Sequence, residues 1–172
     1  MPIRSVSEPV AEATLARIAQ ELLAKSTLCA IATVADDDSA YVNTAYFAFT
    51  RRLEIVWLSA PSANHSRNIR SRPGAAAAVY DSAQCWGGAD RGLQLFGTAE
   101  ELPADVAGDV LADYAARFPA SRGRDMAGLR VYRLLPVRIK LFDETSLGGG
   151  TFVMAAVDAG GRLTWLSTEV YG

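Results

Sequence analysis

The chain has 172 residues, of which 50% are hydrophobic and 21% charged, a composition typical of a folded globular domain rather than of a disordered segment. Its formal net charge of −2 argues against general nucleic-acid binding, which needs a basic surface. Cys29 and Cys85 lie far apart and outside any CxxC motif, so we expect neither a disulfide framework nor a zinc site.

The cellular location is predicted from what the sequence lacks. No apolar run is long enough to span a bilayer. The N-terminus has no basic start followed by an apolar block, so we expect no signal peptide. We therefore expect a cytoplasmic protein without a membrane partner.

The first third of the chain predicts a helix followed by a three-stranded meander. Over residues 8–25, Leu15, Ile18 and Leu22 recur at helical spacing, with Ser7 as the expected N-cap and Pro9 in the first turn. After this helix, the spacing of apolar residues changes from that of a helix to that of strands. The segments "DDDS" and "TRR" predict turns between apolar or alternating runs. The three predicted strands are residues 28–35, 40–49 and 53–59.

The rest of the chain predicts a second helix and more strands. A short helix over residues 63–71 leads to the alanine-rich run 74–81, which we interpret as a strand although its composition also suits a helix. Further on, the pattern predicts a strand at 91–102, a helix at 103–119, a strand pair or a strand bent at Pro136 over 129–144, and a hairpin at 151–168.

These elements predict the fold class. Antiparallel meanders dominate and few βαβ patterns occur, so we expect a mostly-β protein, namely a closed or partly closed antiparallel β-barrel with peripheral helices. No linker rich in Pro, Gly or Ser divides the chain, and no internal repeat is visible, so a single domain over residues 1–172 is predicted.

The segment "SAPSANHSRNIRSRP", residues 59–73, carries the strongest chemical signal. We expect Ser62 to be the N-cap of the helix over residues 63–71. The first turn of a helix offers free N–H groups and the positive end of the helix dipole. Ser66 adds a hydroxyl donor, and Arg67 adds a forked, charged donor. This combination suits a phosphate, although a solvated helix between two strands has the same composition.

Other chemistries fit the sequence less well. It contains no GxGxxG, Walker-type or GxSxG motif. A Ser-His-Asp triad would have to use His65, whose serine neighbours lie on the same helical turn and cannot easily align with it. One histidine, two separated cysteines and scattered acids predict no metal site.

The order of these elements over residues 8–142 resembles the FMN-binding split barrel of the pyridoxamine 5'-phosphate oxidase-like family. The most specific part of the resemblance is the "SRNI" motif at 66–69, preceded by Ser59, ended by Pro73 and followed by a small-residue strand. The resemblance implies an FMN-dependent oxidoreductase that acts on a small molecule. It also implies a homodimer with the flavin in a groove between two barrels.

The resemblance also implies a set of cofactor-binding residues. Those expected to border the isoalloxazine ring and the ribityl chain are Asn43, Thr44, Ala45, Trp57, Leu58, Ser59 and Gln94. Those expected to hold the phosphate are Ser62, His65, Ser66 and Arg67. The segment "QCWGG" (84–88) is expected to reach the ring from the partner subunit, with Trp86 covering it. No catalytic acid or base stands out.

The sequence departs from the family pattern at two places, which limits the family properties that we expect of this chain. Many members have a lysine where this chain has His65, and many have Gly-x-Pro where it has Asp38-Ser39-Ala40. The basic cluster for a second phosphate is missing, so we do not expect pyridoxal phosphate synthesis. A deazaflavin-dependent reductase and a non-catalytic flavin-binding or sensing module remain as alternatives. Haem, which some split-barrel relatives bind through histidines, is not expected in a chain with one histidine.

Overall fold

The computed structural model describes residues 3–171. Its strands are β1 (Ile3–Val6), β2 (Leu28–Val34), β3 (Ala40–Tyr46), β4 (Ala48–Phe49), β5 (Ile55–Ser59), β6 (Gly74–Tyr80), β7 (Arg91–Glu101), β8 (Arg130–Asp143), β9 (Thr151–Val157) and β10 (Leu163–Tyr171). Its α-helices are α1 (Glu12–Lys25), α2 (Asn64–Ser71), α3 (Ala104–Arg117) and α4 (Glu144–Leu147), and a 3-10 turn spans Pro119–Ser121. Within this part of the chain, no helix is long and apolar enough to cross a membrane.

Seven strands, β2 to β8, form an antiparallel barrel. β2 pairs with β3 on one side and with β6 on the other, and the ladder continues through β7 and β8 to β5. β4 follows β3 after one residue, Phe47, and pairs with β5, so the continuous segment 40–49 joins β2 to β5. The closing contact consists of two residue pairs, Ala48↔Val56 and Phe49↔Ile55, and within residues 3–171 the outer edge of β3 has no strand partner.

The barrel is split along β8. The first part of β8 pairs with β5, from Ser59↔Arg130 to Ile55↔Leu134. Its second part pairs instead with β9, which continues through β10 to β1. The predicted mostly-β, antiparallel barrel with peripheral helices is therefore confirmed. Of the two alternatives for residues 129–144, the structure shows a single strand, β8, whose pairing with β7 shifts register next to Pro136.

The core fills the barrel and extends under two helices. Trp57 and Tyr132 stack inside the barrel with ring centroids 5.7 Å apart. α1 adds one apolar face to the same core, whose buried members are Leu15, Ile18, Ala19, Leu22 and Leu23. α3 covers the outside of β4 and β5, where Ala107 and Tyr114 pack with Ala48 and Val56.

The observed element boundaries correct two predictions. α1 begins at Glu12 after Ala11, so Ser7 is not its N-cap; residues 3–6 form β1 instead, and Ser7 lies in the connection between β1 and α1. The predicted strand 40–49 is interrupted at Phe47, whose fully buried side chain lies in the core. The alanine-rich run forms strand β6 because its backbone is paired with β2 and β7 on both sides.

Candidate flavin and phosphate site

α2 covers one end of the barrel between β5 and β6. Its buried face carries Ile69, which lies in the core, and Asn68, whose amide nitrogen donates to Thr33 Oγ1 at 3.0 Å. The helix ends at Ser71, because Arg72 before Pro73 adopts extended backbone geometry. These contacts fix the opposite end, residues 60–64, at the rim of the barrel.

The start of α2 has no side-chain cap among the described residues. The N-cap position is Ala63, so the expectation that Ser62 caps this helix is wrong. Ser62 lies in the preceding turn, where Ala63 N–H donates to Ala60 O at 3.0 Å, and its side chain is exposed. The first N–H groups of α2 therefore remain available to an external acceptor.

Arg67 lies across this uncapped start. Its guanidinium donates to Ser62 O and to Asn64 Oδ1, which holds the charge over the first turn. The other two arginines of the segment have carboxylate partners, since Arg70 pairs with Glu101 and Arg72 with Asp38. Within residues 3–171, Arg67 is therefore the arginine of this segment whose charge no carboxylate neutralises.

Two buried polar groups lie in the same turn of α2. His65 faces inward, with its ring edge-on to Tyr132 at a centroid distance of 6.5 Å. His65 Nε2 and Ser66 Oγ are both buried and have no hydrogen-bond partner among the described residues. Burial lowers the pKa of His65, so its imidazole is biased toward the neutral form. Such orphaned groups point to a bound solvent molecule or ligand.

An apolar groove of about 190 Å³ lies on the outer face of the barrel. The cross-strand pairs Ala30↔Ala78 and Ala32↔Ala76 give it a flat floor made of methyl groups. Its walls are formed by Val42, Gln94 and Phe96. Since Gln94 supplies an amide beside an otherwise apolar surface, the groove suits a planar ring with polar atoms at its edge.

The structure places the remaining predicted residues in different environments. Thr44 points outward on β3, whereas Asn43 Oδ1 is buried without a partner in the described part of the chain. Trp57 is fully buried in the core, so its side chain does not reach the surface. Trp86 is fully exposed on the β6–β7 loop. Ala45, Leu58 and Ser59 are half-buried.

A second cavity, of about 480 Å³, lies between β3, β5 and α3, and the sequence analysis did not predict it. Phe118 closes it, with its ring 5.6 Å from Tyr46 and 4.9 Å from Tyr114. Leu58, one of the predicted cofactor residues, lines the same cavity, and Arg124 supplies its one cationic side chain. The aromatic spacing of Tyr114 and Phe118 at the end of α3 was the available sequence signal.

Comparison with solved structures places the fold among known proteins. The chain is similar to a heme binding protein from Mycobacterium smegmatis (21% identity, TM-score 0.72), covering 91% of this chain and 62% of that one. It therefore spans less than two thirds of that relative. It is also similar to a putative pyridoxamine 5'-phosphate oxidase from Listeria innocua (16% identity, TM-score 0.59), covering 74% of this chain and 97% of that one.

A third similar structure is an F420 reductase, with 22% identity and a TM-score of 0.56 over 70% of this chain and 94% of that one. No curated protein matches the chain. The family model described as pyridoxamine 5'-phosphate oxidase matches residues 15–143, which include all the barrel strands from β2 to β8, whereas β1, β9 and β10 lie outside the match. The chain therefore belongs to the pyridoxamine 5'-phosphate oxidase family.

Proposed function

We propose that the protein is an FMN-dependent oxidoreductase that acts on a small molecule. The observation that carries this proposal is the uncapped start of α2, with the guanidinium of Arg67 held across it and the buried, unpartnered His65 Nε2 and Ser66 Oγ beside it. Family membership adds weight, because flavin binding is typical of this family.

The residues at α2 fit the phosphate of FMN. Backbone N–H groups of the first turn, the Arg67 guanidinium and the Ser66 hydroxyl are donors to an anion. A buried imidazole such as His65 gains a favourable partner when a dianion lies nearby. Ser62, exposed in the preceding turn, offers a further hydroxyl.

The isoalloxazine ring would lie on the outer face of the barrel. Ala30, Ala32, Ala76 and Ala78 leave room for a flat ring, and Gln94 offers an amide to its polar edge. Asn43, Thr44 and Ala45 lie on the neighbouring strand β3. Leu58 and Ser59 lead from this region toward α2, while any contact from Trp57 would have to come from its backbone.

A second copy of the chain would complete the site. Leu28, Val42, Tyr46 and Tyr80 are large apolar side chains exposed on β2, β3 and β6, around the alanine groove. Burial of such a patch favours association of two copies. The loop that carries Trp86 is fixed at its base, where Glu144 accepts from Asp90 N–H at 3.0 Å, and its exposed tip suits a contact across the dimer.

The cavity closed by Phe118 is the proposed substrate site. Its aromatic walls suit a planar or apolar body, and Arg124 suits an anionic substituent. Arg124 Nε donates to Ala120 O at 3.1 Å, which orients the guanidinium. Bound FMN would supply the redox chemistry, while the side chains of this cavity would orient the substrate and exclude water.

Two observations bear on the other cofactors. The chain contains a single histidine, and His65 already belongs to the proposed phosphate site, so no other histidine is present to ligate a haem iron. A deazaflavin has a longer anionic tail, but Arg70 and Arg72 are already paired with Glu101 and Asp38. We therefore propose FMN before either alternative.

The test is the visible spectrum of the purified protein after addition of FMN, followed by anaerobic addition of NADH or NADPH. We expect a bound flavin spectrum that bleaches with the donor and recovers when an electron acceptor is added. A bound flavin that stays oxidised would support the alternative of a non-catalytic flavin-binding module, which the lack of an evident acid or base also favours. No FMN binding would overturn the proposal.

A further inference from the structure

We infer that Glu101 is a positioning residue for the flavin phosphate and that it acts through Arg70. This inference rests on the proposed function, because it concerns the residues that hold the proposed phosphate site in place. Glu101 is the last residue of β7 and pairs in register with Tyr132 of β8. It thus belongs to the rigid barrel rather than to the helix it contacts.

Glu101 is held by the barrel. The hydroxyl of Tyr132, a residue whose side chain is buried, donates to Glu101 Oε2 at 3.1 Å. Arg130 Nε lies 3.7 Å from Glu101 Oε1 on the same edge of β8. These two contacts fix the carboxylate on a strand pair, so it offers a stationary partner to α2.

Arg70 connects this carboxylate to the turn before α2. Its Nη1 lies 3.5 Å from Glu101 Oε2, and its Nη2 donates to Pro61 O at 2.7 Å. Pro61 belongs to the turn that presents the uncapped N-terminus of the helix. Arg70 therefore reaches back along α2 and ties the proposed phosphate site to the barrel.

The alternative is that Arg70 itself binds the phosphate. The charge of Arg70 is paired with the Glu101 carboxylate, whereas Arg67 donates to two uncharged oxygens, Ser62 O and Asn64 Oδ1, and has no carboxylate partner within residues 3–171. Arg67 is therefore the arginine that meets the anion, and Arg70 is the brace that holds the turn.

The experiment compares Glu101→Gln with Glu100→Gln in the full chain. Glu100 is the matched control, because it is the neighbouring glutamate and pairs with Arg133 at 2.5 Å, away from α2. The dissociation constants of FMN and of riboflavin, which lacks the phosphate, are measured for both variants. We expect Glu101→Gln to weaken FMN binding by about fivefold, the upper range for a partly exposed ion pair, and to leave riboflavin binding unchanged.

A double variant tests the route of the effect. If Glu101 acts through Arg70, Glu101→Gln should add no further loss of FMN affinity in a chain that already carries Arg70→Gln. Additive losses, or an equal loss of FMN and riboflavin affinity in Glu101→Gln, would overturn the inference, since a general loss of stability weakens both ligands alike.

Amide hydrogen exchange of the cofactor-free chain gives a readout that does not depend on flavin. Glu101→Gln should raise the exchange rate of residues 62–66, and Glu100→Gln should not. Unchanged exchange rates of residues 62–66 in Glu101→Gln would show that Glu101 and Arg70 do not hold this turn, and would overturn the inference. If the wild type binds neither flavin, the proposed function fails, and the exchange rates alone then decide whether Glu101 and Arg70 hold the turn.

Discussion

At the scale of single residues, His65 determines how the proposed site responds to pH. Burial lowers its pKa from the ordinary value of 6.5, and its Nε2 has no partner in the described chain. A phosphate beside the ring would favour the charged imidazolium, so phosphate binding and proton uptake are coupled.

We predict that FMN affinity rises more steeply from pH 8 to pH 6 in the wild type than in His65→Gln. The FMN phosphate itself titrates near pH 6, but this contribution is common to both proteins, so the difference isolates His65. Fluorescence titration at both pH values measures it. Equal slopes would show that His65 takes up no proton on binding.

The same residue predicts the acid stability of the cofactor-free chain. Because the folded-state pKa of His65 lies below its unfolded value of 6.5, the unfolded chain binds the extra proton first. The contribution of His65 to the free energy of unfolding is therefore fully present above pH 6.5. It is lost as the pH falls from 6.5 toward the folded-state pKa of His65. The melting temperature of the wild type should decrease more between pH 7 and pH 5 than that of His65→Gln, as calorimetry can test.

At the scale of elements, the junction of β7 and β8 makes the split of the barrel possible. The register between these strands shifts between Phe96 and Gly97, opposite Pro136. A Cβ at Gly97 would lie 1.9 Å from Leu135 O, so only glycine allows the two backbones to approach this closely.

We predict that Gly97→Ala lowers the free energy of unfolding by about 3 kcal/mol, because the opposing backbone must move. Gly108→Ala is the control, since Gly108 lies exposed in α3 with open space around it. That change should instead stabilise the protein by about 1 kcal/mol through helix propensity. Urea denaturation of both variants measures the free energies of unfolding. An unchanged free energy of unfolding in Gly97→Ala would contradict the close approach of the β7 and β8 backbones at this position.

The sequence predicted the elements well where the signal was local. Alternation on β3 and helical spacing of Leu15, Ile18 and Leu22 identified the strand and the helix. Prediction failed where a distant partner decides the structure. Residues 3–6 form β1 because β10 lies beside them. The N-cap of α2 was missed for a local reason, because the turn from Ala60 to Ala63 places Ser62 outside the helix.

At the scale of the whole molecule, the exposed apolar face of β2, β3 and β6 predicts a dimer. Val42 is 62% exposed at the centre of this face, beside the alanine groove. Val42→Asp should give a monomer in analytical ultracentrifugation and reduce flavin binding. Val106→Asp on α3, where the valine is 46% exposed, should leave the oligomeric state unchanged. A monomeric wild type would contradict the dimer.

The residues of the candidate site could be predicted where they are neighbours in the sequence, and were missed where only the fold brings them together. His65, Ser66 and Arg67 share one helical turn, so the local sequence predicted an anion site, with a solvated helix as the alternative. The cavity closed by Phe118 was missed because Tyr46, Leu58 and Arg124 meet only when α3 packs on the barrel. The buried position of the Trp57 side chain was missed because β5 is a continuous apolar run, whose pattern does not show which side chains face the core.

The central claim is that the start of α2 binds the phosphate of a flavin, and one titration tests it most directly. Wild type and Arg67→Ala are each titrated with FMN and with riboflavin, with Arg17→Ala, an exposed arginine paired with Glu21 on α1, as the control. The account predicts that the wild type prefers FMN, and that Arg67→Ala loses more than tenfold in FMN affinity while riboflavin binding is unchanged, given about 1.5–3 kcal/mol for a charged hydrogen bond. Equal affinity of the wild type for both flavins, or an FMN affinity that Arg67→Ala leaves intact, would contradict it.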